Sequence, residues 1–383
     1  MKSHITFFPV DNGDMTLIKL ESGRRILIDV NIREKADDEN DETPDVAAML
    51  RQMLPCDDQG RLYVDAFLLS HPDLDHCRGL ERHFHLGPPE DCPDGKILIS
   101  EIWSSPMVFR RASKTRVLSD DAKAFNREAK RRVNLFKETR NIGLAGNRIQ
   151  ILGVDENGKT DGLEKILVKV DEQIRYVNGQ PDASVYARLL GPLSSSEFNS
   201  PEEAEEVLAK NNSSVVVHFL LSSDGRGDAC AFLTGGDAEV VIWEKLWEKH
   251  GIHACLTYDL MQAPHHCSWH SLSNESWSNT HGKAKVSLSA QKALSQAQPG
   301  AFIVASSKPI EDDYNDPPCI GAKRAYEEIL EQVGGKFICT GDKSPELITF
   351  EVTKDGVIFQ KKVTFPQKNI FLGAVGRQPL AHG

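Results

Sequence analysis

The chain has 383 residues, of which 40% are hydrophobic and 26% charged, values typical of a soluble globular protein that buries a large core. Its net charge of −11 does not favour a protein that binds polyanions over its whole surface. The apolar runs are no longer than strands, the first ten residues are too short and interrupted for a signal peptide, and the eight cysteines are scattered. We therefore expect a cytoplasmic chain with free thiols and no membrane contact.

Turn signals and apolar runs define the predicted elements in chain order. Asn-Gly at 12–13 and Ser-Gly at 22–23 predict hairpin turns between the first three strands. Ser119 or Asp120 is suited to cap a long helix. The pattern predicts strands near 4–10, 14–20, 24–30, 62–70, 97–103, 147–154, 165–170, 174–177, 185–190, 214–222, 229–234, 254–262, 300–306, 336–340, 346–352 and 357–364. It predicts helices near 44–54, from 79 onward, and near 118–140, 200–210, 238–250, 289–297 and 319–334.

The segment most indicative of chemistry is SHPDLDH at 70–76, which directly follows the apolar run 64–69. Such a run is typical of a buried strand. A strand that ends in two imidazoles and two carboxylates within six residues brings several potential ligands to one point of a sheet edge. Nitrogen and oxygen ligands without thiolates suit zinc, manganese or iron. The alternative is a polar loop that happens to be rich in His and Asp.

Six segments resemble, in the same order, motifs of the metallo-β-lactamase superfamily. They are most similar to the soluble hydrolase domain of the ComEC-type DNA-uptake proteins, whose metal motif is His-Pro-Asp-x-Asp-His. The segments are VDNGDMTLI at 10–18, RILIDV at 25–30, HPDLDH at 71–76, NNSSVV at 211–216, FLTGGDAE at 232–239 and PHHCS at 264–268. The match spans roughly residues 4–340. It departs from the family in an extra glycine at 236, in Cys267 where the family has glycine, and in Asp316 where it has histidine.

The resemblance implies an α/β fold, a metallo-β-lactamase-like αββα sandwich. It implies a single domain over residues 1–370 with a C-terminal tail at 371–383. The region 104–195 is longer than the family needs between its early and middle motifs, so we expect an inserted or elaborated lobe there. ComEC proteins carry membrane segments, and this chain resembles only their soluble hydrolase domain.

The resemblance also implies a centre of two divalent metal ions, Zn²⁺ or Mn²⁺. His71 and Asp73 are the candidates for the first metal, and Asp75 and His76 for the second. The commoner family pattern has His in place of Asp73, so this oxygen ligand makes manganese plausible beside zinc. In the family the counterpart of Asp75 also orients the attacking hydroxide, so we expect Asp75 to be catalytic.

Later positions complete the implied ligand set. Asp237 corresponds to the residue that bridges both metals, with a helix N-cap as the alternative role. His265 is the best remaining ligand, and His266 is either a second ligand or a catalytic acid near the leaving group. Asp316 either supplies an oxygen ligand or marks the loss of that position. The neighbouring residues that we do not expect to bind metal are Cys77, His83, His85, His218, Cys267 and His270.

Two features bear on the substrate. Asn212 and Ser213 are candidates for contact with substrate or a metal-bound water, with a strand-entry turn as the alternative. The segment 110–140 holds eleven basic and four acidic residues, a local excess of +7 in an acidic chain. It either follows a phosphate backbone or forms a solvated helix face. Its candidates for substrate contact are Arg127, Lys130, Arg131 and Arg132.

These residues leave three functions open. The first is a metal-dependent phosphodiesterase or nuclease acting on DNA or RNA, favoured by the resemblance and the basic segment. The second is a hydrolase of a small ester, lactone or phosphorylcholine-type substrate, which suits the acidic remainder of the chain. The third is a non-catalytic metal-binding subunit or sensor of a larger assembly, left open by the departures from the family motifs. No Walker or dinucleotide glycine loop is present, which argues against the common nucleotide hydrolases.

Overall fold

The computed structural model describes residues 1–38, 40–106, 118–155, 158–208, 210–342 and 346–363. Within them the chain forms a mixed α/β protein with two large sheets and eight α-helices. The helices are α1 Val46–Met53, α2 Leu74–Cys77, α3 Leu80–His83, α4 Asp120–Thr139, α5 Pro201–Val207, α6 Val240–His250, α7 Leu288–Leu294 and α8 Ile320–Glu331.

Each strand and helix predicted from the sequence has a counterpart in the structure. Most differences lie at element ends, as where Ala254–Leu256 is a 3-10 turn ahead of a shorter strand. The strand predicted at 174–177 is divided between two sheets, and the short strands Phe84–His85 and Gln180–Pro181 were not predicted. The strands are β1 His4–Phe7, β2 Thr16–Lys19, β3 Arg25–Ile28, β4 Val30–Asn31, β5 Tyr63–Leu69, β6 Phe84–His85, β7 Ile97–Ser104, β8 Arg148–Leu152, β9 Leu167–Val168, β10 Gln173–Ile174, β11 Tyr176–Val177, β12 Gln180–Pro181, β13 Val185–Gly191, β14 Val216–Ser223, β15 Arg226–Thr234, β16 Tyr258–Gln262, β17 Ala297–Ala305, β18 Lys336–Cys339, β19 Leu347–Thr353 and β20 Gly356–Val363.

The first sheet has the order β20-β19-β1-β2-β3-β5-β7-β8-β9, with β6 beside β7. Its strands from β20 to β3 pair antiparallel, and those from β3 to β9 pair parallel. The second sheet has the order β10-β13-β14-β15-β16-β17-β18 and is parallel from β15 onward. Each sheet therefore has one half whose strands end at a common edge.

Three apolar cores define the layers. One core lies between the sheets, where Phe7 of β1 meets Phe232 of β15 edge-to-face at 6.0 Å. A second core joins the first sheet to α1 and α4, through residues such as Phe125. A third joins the second sheet to α6, α7 and α8, through residues such as Trp243. The two sheets thus face one another, and helices cover the outer face of each.

The described part of the region 104–195 extends both sheets. The helix α4 packs its apolar side into the core on the first sheet, and β8 and β9 lengthen that sheet. The strands β10 and β13 lengthen the second sheet. The tail predicted at 371–383 lies outside the described residues. None of the helices in the described ranges combines the length and apolarity that crossing a bilayer requires.

Candidate metal centre

The predicted ligands follow strands that end at one edge of the two sheets. His71 comes two residues after β5, and the remaining motif residues lie in or beside the short helix α2. Asp237 follows β15, and His265 and His266 follow β16. Both histidines lie in the left-handed backbone region, with φ of 51° and 52°. Because β5 belongs to the first sheet and β15 and β16 to the second, the centre lies where the two sheets meet.

Two glycines let these loops come close together. A Cβ at Gly236 would lie 2.8 Å from both Cβ and Oγ of Ser70, and its φ is +49°. A Cβ at Gly13 would lie 2.7 Å from the carbonyl oxygen of Asp75, and its φ is +148°. The extra glycine in the Asp237 motif is therefore required by the close approach of that turn to the metal loop.

The carboxylate of Asp237 divides the centre into two sets. Its Oδ1 lies 3.1 Å from Nε2 of His76 and 3.4 Å from Nε2 of His266. These two imidazole nitrogens are 3.3 Å apart, and Oδ2 of Asp75 lies 3.3 Å from the second of them. We call the residues around Oδ1 the second set. They are Asp75, His76 and His266.

The other oxygen of Asp237 faces the first set, which consists of His71, Asp73 and His265. Its Oδ2 lies 3.4 Å from Nε2 of His71 and 3.7 Å from Nε2 of His265. Oδ2 of Asp73 is 3.9 Å from the same nitrogen of His71. The structure thus brings the predicted ligands other than Asp316 together, with one oxygen of a shared carboxylate pointing to each set.

A buried carboxylate outside the predicted set orients two of the histidines. Oδ2 of Asp29 lies 2.8 Å from Nδ1 of His76, so that ring nitrogen donates to Asp29 and Nε2 is left to face Asp237. The same oxygen accepts the hydroxyl of Ser70 at 2.6 Å, and Nδ1 of His71 is 3.1 Å from that hydroxyl oxygen. Asp29 therefore turns the Nε2 atoms of both histidines toward Asp237.

Asp14 lies behind the remaining histidine of the second set. Its Oδ1 lies 3.4 Å from Nδ1 of His266, and its Oδ2 lies 3.8 Å from Nδ1 of His76. Asp14, His76, Asp237 and His266 form a buried group that could hold a metal ion, with ligand atoms within 4.8 Å of one another. Asp14 lies on the Nδ1 side of both rings and Asp237 on the Nε2 side, an arrangement in which Asp14 would orient the rings and Asp237 would face an ion.

The electrostatics of the centre favour a bound cation. Burial alone would lower the pKa of His266, but the carboxylates of Asp237 and Asp14 outweigh burial and raise that pKa to about 10. The same balance, with Asp237 and Asp29, raises the pKa of His76 well above its ordinary value. Burial lowers the pKa of His265 despite the nearby Asp237. The carboxylates therefore outnumber the cations available to them, and either protons or metal ions must balance their charge.

The donor atoms fit a metal that prefers nitrogen and oxygen. Nε2 of His71 and Oδ1 of Asp237 are buried without a hydrogen-bond partner, as expected of atoms aimed at an ion. Burial raises the pKa of the Cys77 thiol to about 12, and its Sγ donates to the carbonyl oxygen of Asp73. Burial also raises the pKa of Cys267 well above the usual value. Burial thus disfavours the thiolate form of both side chains, and their exclusion from the ligand set stays a prediction.

Asp316 has different neighbours. Its Oδ1 accepts hydrogen bonds from the hydroxyl of Ser268 at 2.6 Å and the backbone amide of Trp269 at 3.0 Å. Its Oδ2 lies 3.8 Å from Nε2 of His270. None of these partners of Asp316, which are all described residues, is a predicted metal ligand. The structure gives Asp316 the role of anchoring the loop after His266, and metal binding by Asp316 stays a prediction.

The predicted substrate contacts at Asn212 and Ser213 are engaged elsewhere. The hydroxyl of Ser213 donates to the carbonyl oxygen of Leu208, and the residue is buried. Oδ1 of Asn212 accepts the backbone amide of Glu239 at 3.0 Å. These bonds match the alternative interpretation, a turn that leads into β14. Asn211, one residue earlier, is the member of this turn that reaches the centre, with Nδ2 3.5 Å from Nε2 of His265.

The basic helix α4 requires a correction. Arg132 is fully buried: its Nε donates to Glu128 at 2.6 Å and its Nη2 to the carbonyl oxygen of Ile99 at 3.0 Å. The predicted substrate contact by Arg132 is therefore wrong, because the guanidinium joins α4 to β7. Arg131 is also bound to Glu128, and only Arg127 and Lys130 of the four present exposed side chains. Four further cations of the segment, at 110, 111, 114 and 116, lie outside the described residues.

The sequence prediction missed Asp14, Asp29 and Asn211. Each lies within a segment that resembles a family motif, so a signal was present. Asp29 directly follows β3, which pairs in parallel with β5, so its position beside Ser70 follows from that pairing. No protein-family model and no curated protein matches this sequence.

Proposed function

We propose that the chain is a metal-dependent hydrolase of the metallo-β-lactamase superfamily that cleaves phosphodiester bonds, in DNA or RNA or in a smaller diester. The observation that carries the proposal is the position of Asp237. One of its carboxylate oxygens faces His76 and His266, and the other faces His71 and His265. Two divalent ions, Zn²⁺ or Mn²⁺, suit such a divided set of nitrogen and oxygen ligands.

The layer arrangement supports the same assignment. Two facing sheets with helices on both outer faces correspond to an αββα sandwich. The centre lies at the edge where strands of both sheets end, as the superfamily resemblance implies. We propose that residues 1–370 form one domain of this fold, since the described part of the region 104–195 shares the cores of both sheets.

The proposed mechanism assigns the proton transfer to Asp75. Bound metal ions would lower the pKa of a shared water and neutralise an anionic substrate. The side chain of Asp75 is 34% exposed, so it lies at the open side of the second set. Burial alone would raise the pKa of Asp75, but the hydrogen bond from His266 and the charge of His76 outweigh burial and hold it below its usual range. The carboxylate is thus ionised at neutral pH and can orient the attacking water.

The geometry favours one of the two roles predicted for His266, a metal ligand or an acid near the leaving group. Its Nε2 lies 3.4 Å from Oδ1 of Asp237 and 3.3 Å from Nε2 of His76, and Asp14 lies on its Nδ1 side. A histidine with a carboxylate behind it and a shared carboxylate ahead of it is arranged as a metal ligand. We therefore propose that His266 binds the second metal and does not protonate the leaving group.

Metal content is the first test. The protein purified without chelator and reloaded with zinc or manganese is expected to hold two ions per chain by elemental analysis. It is expected to hydrolyse bis-p-nitrophenyl phosphate, to lose that activity after chelation and to regain it on reloading. A panel with p-nitrophenyl phosphocholine, lactones, labelled DNA and labelled RNA identifies the substrate class.

Well under one metal per chain after reloading would contradict the proposed centre. Two metals without hydrolysis of any member of the panel would favour the third function, a metal-binding subunit or sensor. A protein that cleaves only p-nitrophenyl phosphocholine or a lactone would favour the small-substrate hydrolase. The buried and ion-paired arginines of α4 are the observation that supports this second candidate.

The exposed face of α4 tests whether the substrate is a nucleic acid. The double variant Arg127→Gln and Lys130→Gln is expected to bind labelled DNA or RNA more weakly. It is also expected to flatten the dependence of log K on log salt by about 0.7 to 0.9 for each phosphate that the helix no longer neutralises. Fluorescence anisotropy over a salt series measures both quantities. Hydrolysis of bis-p-nitrophenyl phosphate should stay near that of the wild type, because this small diester needs no contact with α4.

Lys336→Gln with Lys354→Gln is the matched control, since both lysines are exposed and lie away from α4. This pair removes the same charge and is expected to leave the salt dependence unchanged. Equal binding by the α4 variant, the control and the wild type would make α4 a solvated helix face. The small-substrate hydrolase would then be the preferred function.

A further inference from the structure

Asn211 is held beside the first set by a neighbouring carboxylate. Its Nδ2 lies 3.1 Å from Oε1 of Glu239 and 3.5 Å from Nε2 of His265. A carboxylate accepts hydrogen bonds, so the Glu239 contact fixes the amide with its nitrogen toward the centre. Asn212 in turn holds Glu239, through the backbone amide at 3.0 Å and the carboxylate at 3.4 Å. The Asn211 amide is therefore fixed from behind.

One N–H of this amide is left for a ligand. The 3.5 Å separation from His265 is too long for a strong hydrogen bond. The lone pair at Nε2 of His265 is also the one that a metal ion would use, since this atom faces Oδ2 of Asp237. With that lone pair occupied, the second N–H of Asn211 lies next to the ligand atoms and has no acceptor there among the described residues.

We infer that the Asn211 amide donates a hydrogen bond to a non-bridging oxygen of a phosphate-type substrate held at the first set. The inference rests on the proposed function and names a residue that contacts its substrate. A donor fixed in advance by Glu239 needs no reorganisation as negative charge builds on that oxygen, so its contribution is greater in the transition state than in the ground state. The carboxylate-rich surroundings repel an anion, and a neutral N–H donor adds attraction without competing for metal.

The test compares Asn211→Ala, Asn211→Gln and the wild type, each loaded with metal. We measure metal content by elemental analysis, affinity for inorganic phosphate by calorimetry, and kcat and KM for bis-p-nitrophenyl phosphate. Asn211→Ala is expected to keep two metals, to bind phosphate about 10-fold more weakly, and to lose about 100-fold in kcat with a smaller change in KM. Asn211→Gln keeps a donor and is expected to regain part of both losses.

Asn274→Ala is the control for loss of an amide, because this exposed residue contacts only Glu244 by its side chain in the described chain. It should match the wild type. Unchanged phosphate affinity and kcat in Asn211→Ala would overturn the inference. Loss of metal in Asn211→Ala would also overturn the inference, since Asn211 would then only support His265. A wild type that holds metal but does not bind phosphate would overturn it as well.

The phosphate measurement separates this inference from the proposed function. If the wild type holds two metals and binds phosphate but cleaves no diester, the proposed activity fails. A weaker affinity for phosphate in Asn211→Ala would then still support the amide as an anion donor. If the wild type cleaves diesters and Asn211→Ala does so equally well, the proposed function stands and the role of Asn211 does not.

Discussion

Asp237→Asn is expected to lower the metal content from two ions per chain to one or fewer and to slow diester hydrolysis strongly. An amide presents one oxygen and one NH₂ group, so it can face only one of the two sets as an acceptor. The NH₂ group would point at the other set, where a metal ion requires an anionic ligand. We expect a loss in rate above the roughly 10–100-fold that removal of an orienting group costs at metal centres. Elemental analysis and kcat on bis-p-nitrophenyl phosphate measure both effects.

Asp316→Asn is the matched control. It makes the same chemical change in another largely buried carboxylate, one whose partners are Ser268, Trp269 and His270. This variant is expected to keep both metals. Loss of one ion in Asp316→Asn would establish Asp316 as a ligand in place of the family's histidine. Two metals and full activity in Asp237→Asn would contradict the bridging role.

Local sequence signals were sufficient for the order of the elements. Turn pairs and apolar runs place most strands within a few residues of their observed ends, because those signals act between near neighbours. They miss the two-residue strands β6 and β12. They do not determine which strands pair. The arrangement of β13 to β18 as one sheet facing the first depends on burial between distant segments, as in the contact between Phe7 and Phe232.

The helix α4 shows how a charge pattern misleads. Arg132 was grouped with exposed cations because of its charge. Its spacing from Phe125, Ala129 and Phe136 nevertheless places it on the buried stripe of the helix. Glu128, one turn earlier on the same side, supplies the partner that makes burial of the guanidinium tolerable. The helical period therefore indicated that Arg132 is buried, whereas a count of charges alone grouped it with the exposed cations.

The clustering of the predicted ligands other than Asp316 could be expected from the sequence, because they lie shortly after strands that end at one edge. The orienting groups were not, since their roles depend on hydrogen bonds between segments far apart in the chain. Asp29 lies 47 positions before His76, and Asp14 lies 252 positions before His266. Only the fold decides which nitrogen of each imidazole faces a carboxylate and which faces the centre.

Asp75→Asn is expected to lower kcat for diester hydrolysis by about 100-fold or more while the fold survives. A neutral amide cannot accept a proton from the attacking water, and it is a poorer ligand than a carboxylate. The side chain of Asp75 is 34% exposed, so its replacement leaves the apolar cores untouched. Circular dichroism and thermal melting check the fold, and elemental analysis checks the metal content.

Asp73→Asn is the comparison that tests whether Asp75 acts as a base or only as a metal ligand. Asp73 is exposed to a similar degree, at 30%, and lies beside His71 in the first set, 3.9 Å from its Nε2. If Asp73 serves only to bind metal, excess zinc or manganese should restore much of the rate in Asp73→Asn. The same excess should leave Asp75→Asn slow, because saturation with metal does not replace a proton acceptor. Equal recovery of the two variants would reduce Asp75 to a ligand, and full activity in Asp75→Asn without added metal would place the reaction elsewhere on the molecule.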